Sequence, residues 1–446
     1  MRRSKWLAVV GLLGALMLTA AACSSNKSGT SGATGGGGTA DKCKADQFGC
    51  VTYKAGEPIR IGSLLAISGD VATLGNDSNH GIQLGIDYLD GNFNATNGKL
   101  LGHDVTLQQE DDLCSKDGGQ AGGTKLAADP TILAVIGTSC SSSALGVADK
   151  ILGDKGVLLI SPSNTAAGLT APATHNPFYL RTAQNDAIQA KVVADFVYNK
   201  LKFTKAATIH DQSPYAAGLT TGFKTFFTKL GGTVTDEEAY TTGETDFKPT
   251  LTAMAQTGPQ LIYLPDFNPE CGLMAKQAPA VPQLANVKLM GSDGCNASTF
   301  FDQAGSAGNG FYLSSPIASP GAKGGLLSQY NAAYKTQFGA QTAAFNANAF
   351  DAFNILVEAI KKVAIQGSDG SVTIPRTALK DAIYQTKDYS GLTGPLTCIN
   401  TGDCQSQLAV NIGVYQSPDS PYNPKTPDAK PIFNETFTLQ QALSGT

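Results

Sequence analysis

Tryptophan occurs once and histidine four times in these 446 residues, and no CxxC, HExxH or GxSxG is present. The four histidines (His80, His103, His175 and His210) are scattered along the chain. A metal site built from clustered Cys and His, a metalloprotease helix and a hydrolase nucleophile elbow therefore have no local support. A Ser/His/Asp set assembled from distant segments would not show in local sequence, but His210 closes an apolar strand and reads as a packed residue. Residues 118–125 (GGQAGGTK) imitate a phosphate loop. The threonine precedes the lysine there and no strand leads in, so the stretch reads as a loop or a poor helix start. Positive charge is also in short supply, with 32 Lys and Arg against 36 Asp and Glu. That balance leaves no electrostatic footprint for nucleic acid.

What is present begins at the N-terminus. Met1, Arg2, Arg3 and Lys5 form a basic start, residues 6–18 are almost wholly apolar, and the run ends in Ala20-Ala21-Ala22-Cys23. This describes a secretion signal over 1–22 rather than a membrane span, and no later run is long enough to cross a bilayer. Small residues before a cysteine resemble a bacterial lipobox, which implies lipidation of Cys23, although Ala20 departs from the usual Leu. Without residues 1–22 the 32 basic residues lose three, leaving 29 against 36 acids and a net charge of −7. Residues 24–40 (SSNKSGTSGATGGGGTA) have no periodicity and read as a flexible tether. Roughly 400 residues remain, more than one core accommodates, so two lobes are expected.

Eight cysteines follow Cys23, an even number that suits disulfides in an exported chain. Sequence alone allows many connectivities. Pairing neighbours is the simplest: Cys43 with Cys50, Cys114 with Cys140, Cys271 with Cys295, and Cys398 with Cys404.

The body alternates short β-rich runs with amphipathic helical stretches. Strands are expected at 59–65, 105–109, 132–136 and 157–160, with helices at 79–89 and 142–152. The pattern restarts with helices at 186–200 and 216–230 and strands at 206–210, 261–264 and 287–290. It closes with a strand at 310–313 and a helix at 347–363. Residues 132–136 (ILAVI) are continuously apolar, as in a strand buried on both faces. Such alternation implies α/β lobes with parallel sheets covered by helices, and ligands in such sheets sit at the carboxyl ends of strands.

Several segments carry a more specific likeness. They include Ile61–Gly69, Glu110-Asp111-Asp112-x-Cys114, Cys140-Ser141-Ser142-Ser143, Ser161-Pro162-Ser163-Asn164-Thr165 and Tyr179-Leu180-Arg181-Thr182. Later come Tyr215 with Gly218, Gly243–Phe247, Pro269-Glu270-Cys271-Gly272, Gly291-Ser292-Asp293-Gly294, Ala349-Phe350-Asp351-Ala352 and Gly391-x-x-Gly394-Pro395. In order and spacing, over most of residues 57–420, they resemble the type I periplasmic binding proteins of the branched-chain amino-acid importer class. The resemblance implies two doubly wound parallel-sheet lobes joined by a three-crossover hinge. Lobe 1 would take 57–182 and 313–393, and lobe 2 would take 183–312 and 394–446. Residues 23–56 would hold the lipidated cysteine, the tether and a small disulfide loop.

The same likeness implies a binding lipoprotein rather than an enzyme, without cofactor or metal. It would be a monomer held to the outer face of the cell membrane only through its lipid, delivering an amino acid or related small polar solute to an ABC permease. A ligand-sensing module, or a binder of an amide, urea or an aromatic acid, is the alternative. A zwitterionic ligand needs donors for its carboxylate and an anion for its ammonium. The resemblance assigns the carboxylate to Ser141, Ser163 (through its backbone) and Thr165, with Ser142 beside them. Asp293 stands where leucine-binding relatives face the ammonium with a carboxylate. Tyr215 and Phe267 match aromatic walls of the cleft, whereas Leu74 occupies a slot that is often Tyr. Cys114–Cys140 matches a bridge of the leucine-binding relatives. The bland alternatives are helix-capping serines and a turn aspartate.

Overall fold

The structure is a computed structural model that describes residues 37–318, 325–405 and 410–444. The secretion signal, Cys23 and most of the 24–40 stretch lie outside the described residues. Residues 37–40 begin the helix Gly37–Ala45, so the tether ends earlier than its composition suggests. Beyond it, Cys50–Tyr53 is a strand paired antiparallel with Val372–Pro375, which makes this part of the 23–56 segment integral to the first lobe. No described helix is long and apolar enough to cross a membrane.

The first sheet has the order Lys99–Leu100, His103–Asp111, Ile59–Leu65, Ile132–Gly137, Leu158–Ser161, Tyr179–Arg181. Every pairing is parallel except the first. The apolar run 132–136 is buried along its whole length, as a central strand requires. Chain order reverses at Ile59–Leu65, so the loops that follow it and Ile132–Gly137 part to opposite faces and leave a crevice between them.

The second sheet runs Phe433–Phe437, Val410–Gln416, Tyr312–Pro316, Lys288–Gly291, Leu261–Tyr263, Lys205–His210, Thr233–Ala239. The five strands from Tyr312–Pro316 to Thr233–Ala239 are parallel, and the last two strands of the chain add an antiparallel edge. Here the order reverses at Lys205–His210, which puts the loops at 211–214 and 264–270 beside a second crevice.

Two expected lobe boundaries move. Tyr312–Pro316 belongs wholly to the second sheet, so residue 313 does not mark the return to the first lobe. The return lies between Pro316 and the helix Leu326–Phe338. The boundary at 393/394 would cut the hairpin Tyr389–Gly391/Gly394–Leu396. The Asp351 carboxylate, on the long helix Asn346–Val363, accepts the Leu392 and Thr393 N–H groups at 2.8 and 2.9 Å and keeps that turn on the first lobe. At the hinge, the fully buried Arg181 pairs with Asp403 at 2.7 Å and donates to the Ala166 carbonyl at 2.9 Å.

The four disulfides are the nearest-neighbour pairs 43–50, 114–140, 271–295 and 398–404. The phosphate-loop imitation lies inside the helix Lys116–Ala128, capped by Ser115, whose Oγ accepts the Gly118 N–H at 3.0 Å. Its glycines are there for contact. A Cβ at Gly119 would fall 2.4 Å from the Ser143 carbonyl oxygen, and one at Gly123 would fall 2.0 Å from Val147 Cγ2. The helix thus lies directly against Ser141–Val147, the helix that follows the Ile132–Gly137 strand.

Candidate functional site

The two crevices face each other, and each of the seven expected residues has a definite place there. Ser141 begins its helix, and its Oγ accepts the Ala166 N–H at 3.2 Å. The Ser142 hydroxyl donates to the Cys114 carbonyl at 3.1 Å, and the Ser163 hydroxyl donates to the Ser139 carbonyl at 2.8 Å. The Ser163 N–H is also engaged, at 3.2 Å from Ser161 Oγ. Ser142 and Ser163 therefore tie loops together in this state, as does Ser141 through Ala166. The Cys114–Cys140 bridge and the buried Asp112 fix the same loops. The Asp112 carboxylate accepts the Ser139 and Cys114 N–H groups at 2.6 and 2.8 Å. Burial still pushes the Asp112 carboxyl up to about 7 against those bonds.

From the second lobe, Asp293 follows the strand Lys288–Gly291 and is 6% exposed. Its Oδ1 accepts from Gln189 Nε2 at 2.6 Å. Burial pushes its carboxyl up to about 6, and the Gln189 bond opposes the shift. The residue after it is held as well: Gly294 N–H donates to the Tyr215 hydroxyl at 3.0 Å, and the Tyr215 and Phe267 rings lie 4.9 Å apart. Cys271–Cys295 joins the helix Glu270–Gln277 to this loop, and Asn268 Nδ2 donates to the Cys295 carbonyl at 3.1 Å.

Sequence reasoning missed Asp186. It opens the helix Asp186–Asp195, and its N–H donates to the Thr165 carbonyl at 2.9 Å. Neither carboxylate oxygen has a well-formed hydrogen bond. Burial and then the neighbouring charge of Asp293 hold its carboxyl well above the ordinary range, and the Thr165 side chain, the donor that approaches it, lowers it somewhat. Asp186 is thus bonded to the Thr165 loop through its N–H and feels the charge of Asp293. The only local signal is Asn185-Asp186 at a helix start, which reads as a cap. Asn185 does the capping, accepting the Ala187 N–H at 3.0 Å.

Two cavities follow the interface. An inner one of about 10 Å³ is bounded by Leu74, Phe267, Asn268 and Asp293. It is too small for a leucine side chain. An outer one of about 640 Å³ opens at the mouth between the loops 68–71 and 113–116 of the first lobe and 211–214 and 267–270 of the second. Phe267 borders both and Ser142 borders the outer, whereas Ser141, Ser163, Thr165 and Tyr215 border neither of the two.

Over residues 58–417 the sequence matches the periplasmic binding protein family. The chain is a member of that family. This periplasmic binding protein is 30% identical over 352 residues to the Leu/Ile/Val-binding protein BraC3 of Rhizobium johnstonii, covering 78% of this chain and 89% of the relative. That relationship puts it in the branched-chain amino-acid branch. Its fold matches the leucine binding protein LivK of Thermotoga maritima with TM-score 0.72 at 22% identity, over 86% of this chain and 99% of that one. LivJ of Streptococcus pneumoniae, solved with isoleucine, matches with TM-score 0.70 at 24% identity, over 85% and 99%. These likenesses carry the architecture of two parallel-sheet lobes.

In this binding protein the carboxylate pair is the chemically distinctive feature. Two buried acids of like charge are unfavourable side by side unless a proton or a cation joins them.

Proposed function

We propose that this chain is the exported, lipid-anchored binding component of an ABC importer, and that it closes its two lobes on an α-amino acid of the branched-chain kind. The reading is supported by two buried carboxylates, Asp186, whose N–H binds the Thr165 carbonyl, and Asp293, both raised by burial and Asp186 further by the charge of Asp293. An ammonium group supplies the cation that pair lacks, and a charge-assisted hydrogen bond contributes about 1.5–3 kcal/mol. The ligand carboxylate meets the donors around Ser141 and Thr165. Contacts to both lobes exist only when the cleft is shut, so the ligand shifts the equilibrium toward the closed form, the form a permease recognises. Lipidation of Cys23 follows from the sequence before it and is read by intact mass of the membrane-extracted protein.

The test is a thermal-shift and calorimetry panel of amino acids led by leucine, isoleucine and valine. At least one should raise the melting temperature, and Asp293→Ala should abolish the response. Full affinity in Asp293→Ala would discard the ammonium assignment.

A further inference from the structure

The outer cavity carries charge that the inner site does not explain. Asp70 comes from the first lobe, and Asp211 and Glu270 come from the second. Among the described residues Lys116 is the basic side chain on the same wall, so three carboxylates stand against one ammonium there. Glu270 is 4% exposed, and its Oε1 accepts the Gly243 N–H at 2.9 Å. Burial holds its carboxyl above the ordinary range, and the charges of Asp211 and, from across the cleft, Asp70 add to the effect. Behind them lies Asp266, fully buried, with Oδ1 accepting the Asp211 N–H at 2.9 Å.

An acidic rim alone could be solvated surface. Asn268 sets it apart. This side chain is 4% exposed and borders both the outer and the inner cavity. Its Nδ2 is held by the Cys295 carbonyl, and its Oδ1 has no partner. An unpaired buried acceptor costs about the free energy of a lost hydrogen bond, and this one borders both the cavity that holds Asp293 and the mouth. The walls near it are apolar, with Val71, Leu113, Leu145, Pro214, Phe267 and Pro269 along the cavity. Asp70 and Asn268 border the inner cavity as well, beside Asp293, so the two cavities adjoin at an acidic and amide-lined seam.

We propose that the mouth of the cleft is a second subsite, for a positively charged group at the end of a ligand's apolar side chain, set by Glu270, Asp211, Asp70 and Asn268. It rests on the α-amino-acid reading of the inner site and extends the ligand class to amino acids with a terminal side-chain amine. Closing the cleft brings Asp70 toward Glu270 and Asp211, and a ligand cation between them relieves that repulsion.

The test compares lysine with norleucine, which has the same carbon chain without the amine, by calorimetry on the full mature chain at low salt. Lysine should bind roughly three- to tenfold more tightly, and the advantage should shrink as salt rises, because the rim is partly open to solvent. In Asp70→Asn and in Asp211→Asn, two positions at the open rim, the lysine-to-norleucine ratio should fall toward one. Taking the ratio within each variant removes any general effect on folding. Norleucine binding as well as lysine in the unaltered protein, or an unchanged ratio in both variants, would overturn the subsite and leave the inner site standing. Failure of both ligands, and of the branched-chain panel, would remove the amino-acid reading and the subsite with it.

Discussion

Asp293 makes affinity depend on pH in a calculable way. Burial disfavours the charge and pushes its carboxyl up to about 6. To hold an ammonium it must be ionised, and once paired it stays ionised well below that value. At pH 7 roughly nine-tenths of the molecules carry the anion, and at pH 5 roughly one-tenth do. The affinity should therefore fall about tenfold between those two pH values, close to 1.4 kcal/mol. The free amino acid remains a zwitterion across this range, so the slope belongs to the protein. Calorimetry in two buffers of different ionisation heat should detect release of about 0.9 proton per ligand at pH 5 and about 0.1 at pH 7. If Asp186 also gives up a proton, the slope steepens toward two protons, so the single-site figure is a lower bound. Asp293→Asn should flatten the contribution of this site in whatever affinity remains. An affinity constant within twofold from pH 5 to 7.5, with no proton released, would refute an ionised Asp293 facing the ligand.

Two further outcomes concern the frame that holds the site. Arg181→Met leaves Asp403 charged and buried at the hinge, and it should cost about 3–5 kcal/mol in urea unfolding; a loss below 1 kcal/mol would show that the pair is not what fixes that crossing. Gly81→Ala places a Cβ 2.0 Å from the Asn346 carbonyl oxygen. The helices Ala72–Asp87 and Asn346–Val363 would have to separate, with an expected loss of about 3 kcal/mol by the same measurement; unchanged stability would mean that their contact is not rigid.

The α/β class, the alternation of elements and the family were legible because each rests on local pattern or on ordered motifs. Ile132–Gly137 announced itself by a continuous apolar run, whereas Asp293 stood out only through the family resemblance, its Gly-Ser-Asp-Gly setting reading locally as a turn. The nearest-neighbour disulfides were legible as the simplest pairing, and all four occur. What stayed hidden depends on distant partners. Asp186 looks like an ordinary first-turn acid, and its importance comes from Asp293, more than a hundred residues away. Thr233–Ala239 was overlooked because its pattern of polar and charged residues suits an edge strand half open to solvent. Val410–Gln416 gives no sign in its own residues that it pairs antiparallel with Tyr312–Pro316. The 118–125 glycines were misread because close packing of a helix looks, in sequence, like flexibility.

The pairing of Cys50–Tyr53 with Val372–Pro375 fastens the N-terminal end of the described chain to the first jaw. A restraint applied at that end would act on this jaw directly and reach the second only through the crossings near Arg181, Pro316 and Asp403.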